Sequence, residues 1–105
     1  MTPYSSEGNL IIYIFLQVLE LIGNPISQLK NEVFLHSNLL NLQEIVLSQC
    51  QVNLIERHAF KDLSNLVRLD LNHNQMTMVP SLSFHDIPRL RELSLSSNPI
   101  SKVGV

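Results

Sequence analysis

The feature that most constrains this chain is a short pattern that recurs at a fixed distance. The segment Leu66-Val67-Arg68-Leu69-Asp70-Leu71-Asn72-His73-Asn74-Gln75-Met76 returns 24 residues later as Leu90-Arg91-Glu92-Leu93-Ser94-Leu95-Ser96-Ser97-Asn98-Pro99-Ile100. Both read L-x-x-L-x-L-x-x-N-x-apolar. Two looser copies open at Leu16 and Leu42, so successive starts lie 26, 24 and 24 residues apart. In the copy that begins at Leu42, Cys50 stands where the others carry Asn24, Asn74 and Asn98. A unit of this length cannot bury its apolar face alone, and self-similarity at a period of about 20–29 residues is the mark of units that stack on one another.

The second half of each unit keeps the same register. Phe34, Phe60 and Phe84 occupy one column, and Leu29, Ile55, Val79 and Val103 occupy another. Leu63 and Ile87 follow the phenylalanine by three residues in the second and third units. The first unit departs from this, with Leu39 and Leu40 displaced by an insertion near His36 and Ser37.

The pattern resembles that of leucine-rich repeats and predicts an α/β-type solenoid. In such a horseshoe, short parallel strands line the concave face and irregular or 3-10 segments form the convex side. Within L-x-x-L-x-L the last two leucines alternate with polar neighbours along a strand, so Leu69 and Leu71 point inward and Arg68, Asp70 and Asn72 outward. An asparagine amide both donates and accepts, so Asn24, Asn74 and Asn98 are suited to pair with main-chain groups where the chain turns out of the strand. Pro80, Pro88 and Pro99 fall outside the predicted strands, where a missing N–H is tolerated. The expected organisation is a lead-in over residues 1–15, then four repeats over residues 16–105 starting at 16, 42, 66 and 90, the last incomplete. No cap is evident at either end, which reads as a piece of a longer protein or a truncated gene product.

The chain has 105 residues, which fits one domain, and its 45% hydrophobic content fits a buried core. Net charge is −2 and the seven basic residues are scattered, so the clustered cations needed to grip a phosphate backbone are missing and nucleic acid is not an expected partner. The single cysteine, Cys50, excludes an intrachain disulfide framework. Either a reducing compartment or paired cysteines lying outside the chain accounts for it. The apolar run Leu10-Ile11-Ile12-Tyr13-Ile14-Phe15-Leu16 is too short for a membrane-spanning helix, which needs about 20 residues. It reads as the tail of a broken preceding repeat, Leu10-x-x-Tyr13-x-x-Leu16 matching Phe60-x-x-Leu63-x-x-Leu66, or as a degenerate signal sequence.

Candidate chemistry is sparse. None of His36, His58, His73 and His85 has a Cys, Asp or Glu at metal-ligand spacing on a shared element. Cys50 has no adjacent Lys, Arg or His to favour its thiolate, and reads as a small, half-buried turn residue that gives up an amide's hydrogen bonds. No phosphate-binding loop or nucleophile motif is present. The expectation is therefore a binding module with no enzymatic activity, cofactor, metal or small-molecule substrate.

The candidate site is the concave face. Its protein-binding residues are expected to be Glu44, Val46, Ser48, Arg68, Asp70, Asn72, His73, Glu92, Ser94 and Ser96; the same columns hold Val18, Glu20 and Ile22 in the first repeat, where apolar Val18 and Ile22 read either as part of that face or as the edge left by a missing N-terminal cap. An open, mixed and mildly acidic surface without an enclosed pocket suits a folded protein ligand or receptor.

The stretch from Asn41 to Val103 is similar to repeats of extracellular leucine-rich-repeat proteins in its 24-residue period, its Phe column and Pro80 after Val79. More narrowly, Leu47-Ser48-Gln49-Cys50, Ile55-Glu56-Arg57-His58-Ala59-Phe60-Lys61-Asp62-Leu63 and the segment from Leu66 to Asn74 resemble insect Kekkon proteins. That family joins a repeat array to an immunoglobulin domain and a single membrane span. The resemblance implies a cell-surface module that binds a ligand or receptor and acts on receptor tyrosine kinase signalling. It places the parent protein on the extracellular side of the plasma membrane, attached only through segments missing from this chain. The cysteine-rich caps, immunoglobulin domain and span of that family are not in this sequence. The alternative setting is an intracellular repeat scaffold.

Overall fold

The computed structural model describes residues 16–103. The lead-in and its apolar run lie outside the described residues, apart from Leu16. Eight short strands follow in order: β1 (Val18–Glu20), β2 (Gln28–Leu29), β3 (Glu44–Val46), β4 (Leu54–Ile55), β5 (Arg68–Asp70), β6 (Met78–Val79), β7 (Glu92–Ser94) and β8 (Lys102–Val103). The odd-numbered strands form a four-stranded sheet in the order β1-β3-β5-β7. All its pairings are parallel, and the register aligns Val18, Glu44, Arg68 and Glu92 as successive partners. The same recurrence that spaces the leucines thus sets the strand register.

Parallel strands need a crossover, and here the crossover is the second half of each repeat. It contains 3-10 turns at Ser37–Leu39 and Ser81–Asp86, and among the described residues no α-helix. Each return also carries one strand of a second, discontinuous layer. There β2 pairs with β4 and β6 with β8, while β4 and β6 do not pair.

The core lies between these layers. Leu42, Ile45, Leu47, Leu63, Leu66, Leu69 and Leu71 are fully buried, and Phe60 with them. Phe34 and Phe60 stack nearly parallel, at 4° and a centroid separation of 6.0 Å, so the Phe column packs repeat on repeat. Phe84 is only half-buried and sits in the 3-10 turn. Burial falls off toward the ends of the sheet: Leu93, the counterpart of Leu69, is 37% exposed on the terminal strand β7.

The turn out of each strand has one shared geometry. Gly23, Gln49, His73 and Ser97 all adopt positive φ, between 56° and 79°. Only the first is a glycine, and the other three hold a left-handed conformation uncommon for side-chain-bearing residues.

Candidate functional site

Behind the sheet face, the turns are tied together by side-chain amides. Asn74 Oδ1 accepts from the main-chain N–H of Cys50 (2.9 Å) and of Val52 (3.0 Å). Its Nδ2 donates to the carbonyls of Leu47, Leu71 and Asn72. Asn98 repeats the motif one unit on, accepting from Met76 N–H and donating to Leu71, Leu95 and Ser96. Asn24 makes only the bond to Leu21 O among the described residues.

Cys50 corrects the expectation of a half-buried residue that surrenders an amide's bonds. It is completely buried, and its Sγ donates to Leu21 O at 3.0 Å and to Ser48 O at 3.4 Å. The thiol therefore keeps the cross-repeat donor role of the amide. The acceptor role passes to the Cys50 carbonyl, which takes the N–H groups of Ile26 (3.0 Å) and Ser27 (3.2 Å). The turn there differs in one respect: Gln51 also has positive φ, at 58°, unlike Pro25, Gln75 and Pro99 in its column.

On the sheet face itself, alternation places Arg68, Asp70 and Asn72 half-buried on the outer side of fully buried Leu69 and Leu71. Arg68 lies between its two register partners. Its Nη1 pairs with Glu44 Oε2, and its Nε lies 3.2 Å from Glu92 Oε2. The guanidinium is held above its ordinary value, first by the hydrogen bond and charge of Glu44 and further by Asp70 and Glu92. One row over, Asp70 Oδ1 accepts from Asn72 N–H, and Asn72 Oδ1 accepts from both N–H and Oγ of Ser96 at 2.8 Å. Seven of the ten expected residues are thus outward side chains on β3, β5, β7 or the residues just after them: Glu44, Ser48, Arg68, Asp70, Asn72, Glu92 and Ser94. His73 and Ser96 are exposed at the turn, His73 being the left-handed residue.

Val46 does not join them as exposed surface. It is 8% exposed, an apolar side chain in the middle of the sheet between the register partners Glu20 and Asp70. Within the rest of the face, among the described residues, Glu20, Glu44, Asp70 and Glu92 outnumber the cation Arg68, which is already engaged by two of them. The exposed apolar side chains Val18 (43%) and Ile22 (49%) border it at β1.

A family model for the leucine rich repeat matches residues 40–100, more than half of the chain. The chain belongs to the leucine-rich repeat family. Members of this family are typically non-enzymatic modules that mediate protein–protein binding, which agrees with an open sheet face of paired charges. Among curated proteins, none matches the chain.

Two histidines of this leucine-rich repeat chain take structural places. His36 caps the 3-10 turn at Ser37–Leu39, with Nδ1 accepting from Asn38 N–H. His58 pairs through Nδ1 with Asp86 Oδ2 at 2.9 Å, joining two successive returns. That contact spans 28 residues and joins two different return segments, so spacing within one element does not reveal it. Among the described residues no group of three or more His, Cys, Asp or Glu comes together as a metal site. No described helix is long and apolar enough to cross a membrane.

Proposed function

We propose that this leucine-rich repeat segment binds a protein through the face of its four-stranded sheet, as part of a cell-surface adhesion or signalling receptor. The observation that carries the binding reading is the row Glu44, Arg68 and Glu92. Three long charged side chains from three repeats are paired across an open surface, their geometry fixed by the strand register. Such a row presents pre-organised charges to a partner, and charge complementarity governs encounter rate and specificity. The excess of carboxylates on the face favours a partner surface that is basic opposite Asp70 and Glu92. In a longer stack of the same units this face would be the concave side of a horseshoe.

The cell-surface setting is supported by the 24-residue period, the Phe column and the Kekkon-like segments around Cys50 and Asn74. The alternative, an intracellular scaffold, draws on the free, buried thiol of Cys50. A full-length transcript separates the two: flanking cysteine clusters and an apolar span of about 20 residues support the receptor, and their absence removes it. For the binding face, an interaction screen against a panel of ectodomains is followed by the Asp70→Lys and Arg68→Glu variants. Each should weaken the captured partner at least severalfold while the circular-dichroism melt stays cooperative. Unchanged affinity in both would remove the sheet face from the account.

A further inference from the structure

The second layer of strands is interrupted at one junction, and the cause is chemical. At the first junction, Asn53 N–H donates to Ser27 O (2.8 Å) and Glu56 N–H to Leu29 O (2.9 Å), closing β4 onto β2. At the last, Ser101 N–H donates to Thr77 O (3.0 Å), beside the β6–β8 pair. Between β4 and β6 the corresponding bond from Thr77 to Asn53 is not formed among the described residues. The position equivalent to Glu56 is Pro80, which has no N–H to give Ile55 O. A side chain does part of the work instead, Ser83 Oγ donating to Glu56 O at 3.1 Å.

The break opens a cavity of about 180 Å³ walled by Leu54, Met78, Val79, Pro80 and Leu82. Leu54 is 45% exposed and Met78 41%, although both are large apolar side chains. The one charged lining residue is Arg57, exposed and without an ion pair among the described residues. Sites for drug-sized ligands occupy about 300–1,000 Å³, so a cavity of this size does not suit such a ligand. It does suit one side chain of the kind that anchors a protein interface, in which a buried apolar group fills a pocket ringed by weaker contacts. Met78 adds an adaptable wall.

We propose that the gap between β4 and β6 receives one apolar side chain of a protein partner, with a carboxylate beside it on that partner engaging Arg57. The inference rests on the reading of the chain as a protein-binding module, but on a surface separate from the sheet face. Loss of binding at one therefore leaves the other testable.

The test uses the full chain labelled with 13C at its methyl groups, titrated with three blocked dipeptides: acetyl-Leu-Asp-amide, acetyl-Leu-Lys-amide and acetyl-Gly-Asp-amide. The leucyl-aspartyl peptide should shift the methyl signals of Leu54, Met78, Val79 and Leu82 in a saturable way, leaving those of Val18 and Ile22 in place. The leucyl-lysyl peptide should bind about two- to fivefold more weakly, the scale of one exposed ion pair. The glycyl peptide should give no saturable shift. Arg57→Gln, at an exposed position, should erase the difference between the two leucyl peptides while preserving the spectrum of the fold. Leu54→Ser, also exposed, should weaken both. Shifts absent at the gap with the leucyl peptides, centred on the sheet face, or equal for aspartyl and lysyl probes in the unsubstituted protein would overturn the proposal.

Discussion

Removing the side-chain amide of Asn74 tests what holds the repeats in register. In Asn74→Ala the N–H groups of Cys50 and Val52 lose the oxygen they share, and both residues are completely buried. A buried donor left without a partner costs about 1–3 kcal/mol, so the pair predicts a loss of about 2–6 kcal/mol. The carbonyl of Leu71 is spared, because Asn98 Nδ2 also donates to it at 2.8 Å. Asn98→Ala orphans one N–H, that of Met76, and should cost about 1–3 kcal/mol. Asn24→Ala removes a single exposed bond within its own repeat and should change stability by less than about 0.5 kcal/mol. Urea unfolding of the three variants gives the ranking directly. Amide hydrogen exchange at Cys50 and Val52 in Asn74→Ala should accelerate more than at residues of β7. Equal costs at all three positions, or unchanged exchange at Cys50 and Val52, would show that these amides act within their own turns rather than across repeats.

Other outcomes follow from the same packing. Leu69→Ala, at a completely buried position in a central strand, should destabilise by about 2–5 kcal/mol, whereas Leu93→Ala should cost less than half as much because that side chain is 37% exposed; thermal or urea unfolding distinguishes them, and equal losses would contradict the burial gradient. Cys50 should resist iodoacetamide in the native protein and react on unfolding, since its sulfur is buried and donates to Leu21 O; rapid labelling of the folded chain, read by mass spectrometry, would contradict that placement. Pro80→Ala restores an N–H opposite Ile55 O, so the methyl signals of Leu54 and Met78 should move and the leucyl-aspartyl peptide should bind more weakly; an unaltered gap would show that proline is not what keeps β4 and β6 apart.

The leucine spacing carried the strand register because alternation along a strand and stacking between repeats act on the same residues. Leu69 and Leu71 face inward and Arg68 outward for that reason alone. The amide ties of Asn74 and Asn98 were legible too, since few residues can both donate and accept at a turn. Three things were not. The left-handed turn residues Gln49, His73 and Ser97 carry no glycine signal, although each directly precedes the residue that ties its turn to the repeat before it, Cys50, Asn74 or Asn98. Val46 occupies an outward column, yet a short side chain in the middle of a sheet has neighbours on both flanks, which periodicity does not weigh. The gap beside Pro80 depends on one missing donor relative to Glu56, a relation visible only when two return segments lie side by side.

Docking of a protein partner on the sheet face can be read from a photo-crosslinking scan. Benzoylphenylalanine is placed in turn at Glu44, Asp70 and Ser94 on that face, and at Lys61, Asp62 and Arg89 on the return segments. With the partner recovered from the ectodomain screen, the face positions should give one adduct of constant mass, suppressed by excess unlabelled chain and by Arg68→Glu. Adducts formed only from Lys61, Asp62 or Arg89 would contradict docking on the sheet face.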